Sequence, residues 1–205
     1  MRLRPTIVVL AAGQGRRFRG RQHKLGQDLG GTSVLGRTLA QAILTRLPVL
    51  VVTTASLAPL VADQLALRDT LVVSDADARR GMGHSIAAGV AERALSPGWL
   101  VLPGDMPLVR PATLLEVAAA IEHHPVAYAQ YRGRRGHPVG FAAELYSELV
   151  ALTGDEGARR LIARYPAFAA EVDDPGVLVD VDTEADLQAV RATVGATNQP
   201  VPGET

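Results

Sequence analysis

Two glycines one residue apart, two arginines and a lysine crowd the segment that follows the first apolar run of the chain. It reads Leu10-Ala11-Ala12-Gly13-Gln14-Gly15-Arg16-Arg17-Phe18, with Lys24 six residues beyond Phe18. Small side chains at 11–13 let the backbone approach a ligand closely. Glycines at 13 and 15 permit positive φ, so that successive N–H groups converge on an anion. Arg16, Arg17 and Lys24 add positive charge beside those N–H groups, arginine as a two-pronged phosphate grip and lysine as a mobile point charge. The chemistry is phosphate binding. A dinucleotide fingerprint fits poorly, because Phe18 stands where its third glycine belongs and Thr53 and Thr54, not an acid, end the second apolar run. A P-loop is excluded by the lack of Gly-Lys-Ser/Thr. The blander alternative is a glycine-rich turn on a basic surface, and the joint presence of glycines, arginines and lysine weighs against it.

Two later segments carry carboxylates where apolar runs end. Val101-Leu102-Pro103-Gly104-Asp105-Met106-Pro107 places Asp105 in a rigid turn, and Val179-Asp180-Val181-Asp182-Thr183 offers two aspartates at alternate positions, on one face of an expected strand. A phosphate-bound Mg2+ or Mn2+ needs only one or two protein carboxylates. Asp105 has a structural alternative as a turn former, and Asp182 as a charge favouring the next helix N-terminus. Two such carboxylates beside a phosphate loop favour metal binding, with Asp105 as one ligand and Asp180 or Asp182 as the second. Gly81-Met82-Gly83-His84-Ser85 opens a helix with unpaired N–H groups and a hydroxyl. Arg132-Gly133-Arg134-Arg135-Gly136-His137-Pro138 is a basic turn that suits either an anion or solvent.

The elements that must position these residues follow a rhythm. Apolar runs at 6–12, 49–54, 70–74, 100–103 and 126–130 read as buried strands, separated by helical periods at 33–46, 57–67, 83–95 and 111–123. Beyond residue 130 come a turn at 131–136, a short strand near Val139, helices around 144–152 and 156–165, a strand at 177–181 and a last helix at 183–194. Thr183 and Asp186 signal its N-cap. Strands alternating with helices predict an α/β fold, a mostly parallel sheet covered by helices on both faces, in which ligands lie beyond the carboxyl ends of the strands. His123 and His124 read as helix terminators; Trp99, Tyr128 and Tyr131 read as packing. The 205 residues fit one domain, expected over 1–195, with 196–205 as a frayed tail.

Lys plus Arg and Asp plus Glu balance at 21 each, so no net field draws the chain to nucleic acid or to a membrane surface. The absence of cysteine excludes disulfides, zinc ribbons and thiol catalysis. No signal peptide or membrane-spanning run is recognisable, and a cytoplasmic protein is the expectation.

The loop Leu10-Ala11-Ala12-Gly13-x-Gly15-x-Arg17-Phe18 with Lys24, together with Gly104-Asp105-x-Pro107, resembles the signature of the nucleotidylyltransferase superfamily, the MobA-like NTP transferases among them. His23 stands where that family commonly has proline. Arg134-Arg135-Gly136-His137-Pro138, Gly154-Asp155-x-Gly157-Ala158-Arg159 and Asp180-Val181-Asp182-Thr183 resemble the molybdenum-cofactor cytidylyltransferase branch, and the likeness covers residues 6 to about 192. Ala11-Ala12-Gly13 favours the cytidylyl over the guanylyl type. The resemblance implies a Rossmann-like three-layer sandwich and transfer of CMP from CTP to the terminal phosphate of molybdopterin or its molybdenum-loaded form. It assigns the nucleotide to Leu10 through Arg17 with Lys24, Gly81 and Ser85; catalysis to Lys24, Arg17 and Asp105; magnesium to Asp105 and Asp182. Arg134, Arg135, His137, Asp155 and Arg159 would hold the pterin acceptor. A molybdoenzyme or its chaperone would be a transient partner. The rivals are another transferase of the superfamily, using GTP or a sugar-phosphate or isoprenoid acceptor, and a nucleotide-binding partner without turnover.

Overall fold

β-Branched residues dominate the first strands, and a sheet buried on both faces is where such residues pack best. The computed structural model describes residues 4–15, 18, 22–154 and 157–197. Seven strands form one sheet in the order β3-β2-β1-β4-β6-β5-β7. They are β1 (Thr6–Ala11), β2 (Val49–Thr54), β3 (Thr70–Val73), β4 (Gly98–Pro103), β5 (Val126–Tyr131), β6 (Arg134–Ala142) and β7 (Ala167–Glu171). β1 pairs in parallel with β2 and β4, β2 with β3, and β5 with β7; β6 runs antiparallel between β4 and β5.

Side chains of successive strand residues point to opposite faces, and the core divides accordingly. Ile7, Val9 and Ala11 join one cluster with Leu35, Leu39, Leu114 and Val190; Val8 joins the other with Ile86, Val90, Trp99 and Phe141. The first layer is built from α1 (Val34–Leu44), α4 (Pro111–Ala120) and α7 (Glu184–Thr197), the second from α3 (Met82–Glu92), α5 (Tyr146–Val150) and α6 (Gly157–Arg164). A four-residue α2 (Asp75–Ala78), not anticipated from the sequence, precedes α3. The architecture is the expected Rossmann-like three-layer sandwich.

Several local expectations are corrected, and one strand was not anticipated. The helix expected at 57–67 is a 3-10 turn, Ala58–Leu60, followed by further turns. Leu57 and Val61 are buried but Leu67 is 91% exposed, so no continuous apolar face supports an α-helix there. The strand expected at 177–181 is instead a 3-10 turn, Pro175–Leu178, started by Asp174 accepting from the Gly176 N–H at 3.0 Å. The basic turn is only Arg132 and Gly133, both at positive φ, as a two-residue hairpin requires. Residues 134–136 therefore belong to β6, which is nine residues long rather than a short strand near Val139. Finally, β7 has the sequence Ala-Phe-Ala-Ala-Glu, whose alanines carry little strand signal, and the sheet edge recruits it nonetheless.

Helix α7 reaches Thr197, three residues past the helix end expected at Val194, and residues 198–205 lie outside the described residues. Among the described residues, no helix is long and apolar enough to cross a membrane.

Candidate active site at the carboxyl ends of β1 and β4

β1 sends the chain to β2 on one side and has β4 on the other, so the connections diverge at its carboxyl end and open a crevice there. The Gly104 N–H donates to the Leu10 carbonyl at 2.8 Å, which holds the two strand ends together. The glycine loop that leaves β1 and the Asp105 turn that leaves β4 thus face one cleft of about 690 Å3.

Three charges meet at its floor. The Lys24 ammonium lies 2.6 Å from Asp105 Oδ2 and 2.7 Å from Asp182 Oδ1, and all three side chains are less than one-fifth exposed. Burial alone would pull the Lys24 pKa down; the Asp105 and Asp182 carboxylates outweigh it and hold the pKa above its ordinary value. The 180–182 segment is fixed to the site by the Val181 N–H, which donates to the Asp105 carbonyl at 2.9 Å. Asp186 accepts from the Thr183 N–H and hydroxyl, both at 2.7 Å, and caps α7 as its sequence position predicts. Asp180 takes a different part. Its carboxyl pKa is raised by burial and by the neighbouring Asp182, with which it shares a hydrogen bond.

A divalent cation suits this arrangement. Asp105 Oδ1 is buried without a hydrogen-bond partner, a costly state for a carboxylate oxygen unless a cation or donor meets it. The two carboxylates already converge on one positive charge, the lysine ammonium. Among the described residues no cluster of three or more His, Cys, Asp or Glu forms an all-protein metal cage. A cation that shares its shell with phosphates and water needs none.

The glycine loop runs along the same cleft. Leu10, Ala12, Gly13, Gln14 and Gly15 line the cleft. Gly15 has φ +59°, in the left-handed region where glycine carries no steric cost. The Ala11 side chain is fully buried in the core, and its carbonyl accepts from the Thr53 hydroxyl at 3.4 Å. Arg16 and Arg17, assigned to the same loop, lie outside the described residues.

The cleft has two walls. On one, Gly81 stands at the N-cap of α3 with φ +100°, and both Gly81 and the buried Ser85 line the cleft. Arg79, at the end of α2, lines it too. The Gly83 N–H donates to the Gly154 carbonyl at 2.8 Å and the Gly154 N–H to the Arg80 carbonyl at 3.0 Å, which joins this wall to the approach of α6. On the other wall stand Arg134, Arg135 and His137 of β6, with Arg159 contributed by α6. Arg132, counted with the basic turn, instead lies 5.1 Å above the Tyr131 ring, and Asp155 falls outside the described residues. His137 has its Nδ1 buried and unpartnered, and burial pushes its pKa below the ordinary histidine value. The imidazole is neutral at pH 7.

Among the described residues, most of those that the sequence singled out line this one cleft. Sequence reasoning missed His23, whose ring touches the glycine loop, and Arg79, whose position depends on the unanticipated α2. His84 is partly buried and lies 3.4 Å from the Asp77 carboxylate. Trp99 is fully buried and His124 stacks on Phe168, both structural.

Comparison with known proteins follows the same outline. The MobA-like NTP transferase domain matches this chain over residues 7–170. The purine catabolism protein PucB of Bacillus subtilis is 34% identical over 197 residues, spanning 90% of this chain and 94% of that protein. The crystal structure of Rv0371c from Mycobacterium tuberculosis superposes with a TM-score of 0.80 at 30% identity, covering 94% of this chain and 99% of that one. The same mycobacterial protein has been solved in complex with manganese, with a TM-score of 0.76, 28% identity and coverage of 93% and 99%.

Proposed function

The chain belongs to the MobA-like NTP transferase family, a family of nucleotidyltransferases, and on that premise we propose that it transfers CMP from CTP to the terminal phosphate of a pterin cofactor, molybdopterin or its molybdenum-loaded form. The observation that carries the reading is the floor of the cleft. A lysine sits between two carboxylates, one of which keeps a buried oxygen unpartnered, in the cleft that the glycine-rich loop also lines.

The acceptor phosphate oxygen attacks the α-phosphorus in line, a P–O bond forms, the α–β P–O bond breaks, and pyrophosphate carries away the displaced charge. No covalent enzyme intermediate is needed. The protein supplies position and charge, the two terms that dominate such reactions. Asp105 and Asp182 would hold magnesium or manganese, whose charge offsets that of the triphosphate when bound. Lys24 offers its ammonium to the α-phosphoryl oxygens, where negative charge develops, while the 13–15 backbone and Arg17 hold the β- and γ-phosphates. Gly81 and Ser85 read the base. Arg134, Arg135, His137 and Arg159, together with Asp155, form the acceptor side, and three cationic side chains there fit a phosphate-bearing acceptor. A molybdoenzyme or its chaperone is the expected recipient of the product.

The test is pyrophosphate release with Mg2+ and molybdopterin, comparing CTP with GTP and ATP. Release with CTP alone is the expected result. Release with GTP alone overturns the base assignment. No release with any nucleotide, from folded protein and intact acceptor, overturns the acceptor.

A further inference from the structure

His23 occupies the one position of the phosphate-loop signature where this chain departs from the proline that the resembled family commonly carries. It is half-buried, and its ring touches both halves of the anion site. The Leu25 N–H donates to Nδ1 at 3.2 Å, so Nδ1 carries no proton, and the proton on Nε2 is donated to the Gly13 carbonyl at 2.9 Å. The same edge of the ring backs Gly15, where an added Cβ would lie 3.1 Å from Nε2. Burial keeps the pKa of this imidazole below its ordinary value and so preserves the neutral tautomer both bonds require.

The consequences follow from peptide geometry. A trans peptide is planar, with its C=O and N–H on opposite edges. Fixing the Gly13 carbonyl therefore also fixes the direction of the Gln14 N–H. At the other end, the bond from Leu25 holds the ring against the 3-10 turn Lys24–Gly26, which carries the lysine. One imidazole thus spans the glycine loop and the turn bearing Lys24.

We propose that His23 is a positioning residue for the triphosphate, which locks the Gly13–Gln14 peptide and the Lys24 turn into a single preformed anion cradle. This rests on the nucleotide site proposed above. A preformed cradle binds more tightly because its backbone need not be ordered when the ligand arrives. The benefit is confined to groups that touch the cradle, so it applies to phosphates and not to the base.

The experiment measures binding of CTP, tripolyphosphate and cytidine to the full chain with Mg2+, by calorimetry for the first two and by NMR titration for the weak nucleoside. His23→Ala should weaken CTP and tripolyphosphate by the same factor, about tenfold for the loss of one well-formed hydrogen bond and of preorganisation. Cytidine should change by less than about twofold. His23→Gln, which keeps one donor and one acceptor, should recover most of the loss, and the melting temperature of each variant verifies folding. Unchanged CTP and tripolyphosphate binding in His23→Ala overturns the proposal, as does an equal loss for cytidine, which would mark a merely structural residue. If the wild type binds GTP, ATP or UTP in place of CTP, only the base assignment falls, and the preferred nucleotide with its nucleoside takes the place of CTP and cytidine. If it binds no nucleotide, the nucleotide site itself is wrong, and this inference with it.

Discussion

Asp105 and Asp174 are both buried or nearly so and both lie in loops between regular elements, yet they differ in how they are satisfied. Asp174 is 2% exposed and its hydrogen bonds are complete. Oδ2 accepts from the Arg110 N–H at 2.8 Å and the Thr113 hydroxyl at 2.7 Å, and Oδ1 accepts from the Gly176 N–H at 3.0 Å. It caps α4 from more than sixty residues away and starts the turn that leads to Asp180 and Asp182. Asp105 gives one oxygen to Lys24 and keeps the other buried and unpartnered. A carboxylate with both oxygens bonded to the fold holds structure together. One left incomplete, beside a second carboxylate and a lysine, is arranged for something that arrives later.

The comparison can be broken by substitution. Asp105→Asn should cost the largest effect, a fall in turnover of about a thousandfold, or about 4 kcal/mol of transition-state stabilisation. Its melting temperature should change little, because Asp182 still pairs with Lys24. A turnover within tenfold of wild type, measured by pyrophosphate release, would remove Asp105 from the chemistry.

Asp174→Ala should do the reverse. It leaves the Arg110 N–H, the Thr113 hydroxyl and the Gly176 N–H without their acceptor, and should cost about 3 kcal/mol of stability. Denaturant unfolding would measure that loss. The folded fraction should bind nucleotide as the wild type does, and a stability unchanged within error would show that the network is decorative.

A smaller effect sharpens the contrast through pH. The His137 pKa is depressed by burial below the ordinary 6.5, so the unfolded chain binds a proton that the folded chain refuses. Stability should therefore fall as the pH drops below about 6.5 toward the folded pKa, and stay level above that window. His137→Gln should flatten this slope in unfolding curves recorded from pH 7 to pH 5. An identical slope in both proteins would assign it to other groups.

Much of this was legible in the sequence, for identifiable reasons. Strand ends in a parallel sheet point to one crevice, so a glycine loop after β1 and an aspartate after β4 had to meet. The role expected of Lys24 followed from its charge near that loop and from the resemblance to the family signature, and the capping of α7 from Thr183 and Asp186. What was not legible depended on tertiary partners. Val177 to Val181 reads as a strand by composition, but Asp174, Pro175 and Gly176 impose a turn whose purpose shows only when α4 is in place. The alanine-rich β7 exists because β5 offers it a free edge. His23 looked like a simple substitution for proline; its two hydrogen bonds required the folded loop. The two aspartates 180 and 182 were indistinguishable by spacing, and only the lysine separates them.

The most direct measurement of the central claim is Mn2+ binding, followed by its electron paramagnetic resonance signal in the presence of CTP. It would compare the wild type with Asp105→Asn, Asp182→Asn and Asp180→Asn. The account predicts losses of affinity of about tenfold or more for the first two and less than about threefold for the third. Undiminished Mn2+ binding in both Asp105→Asn and Asp182→Asn would contradict it, and the open carboxylate at the floor of the cleft would then have to serve something other than a metal ion.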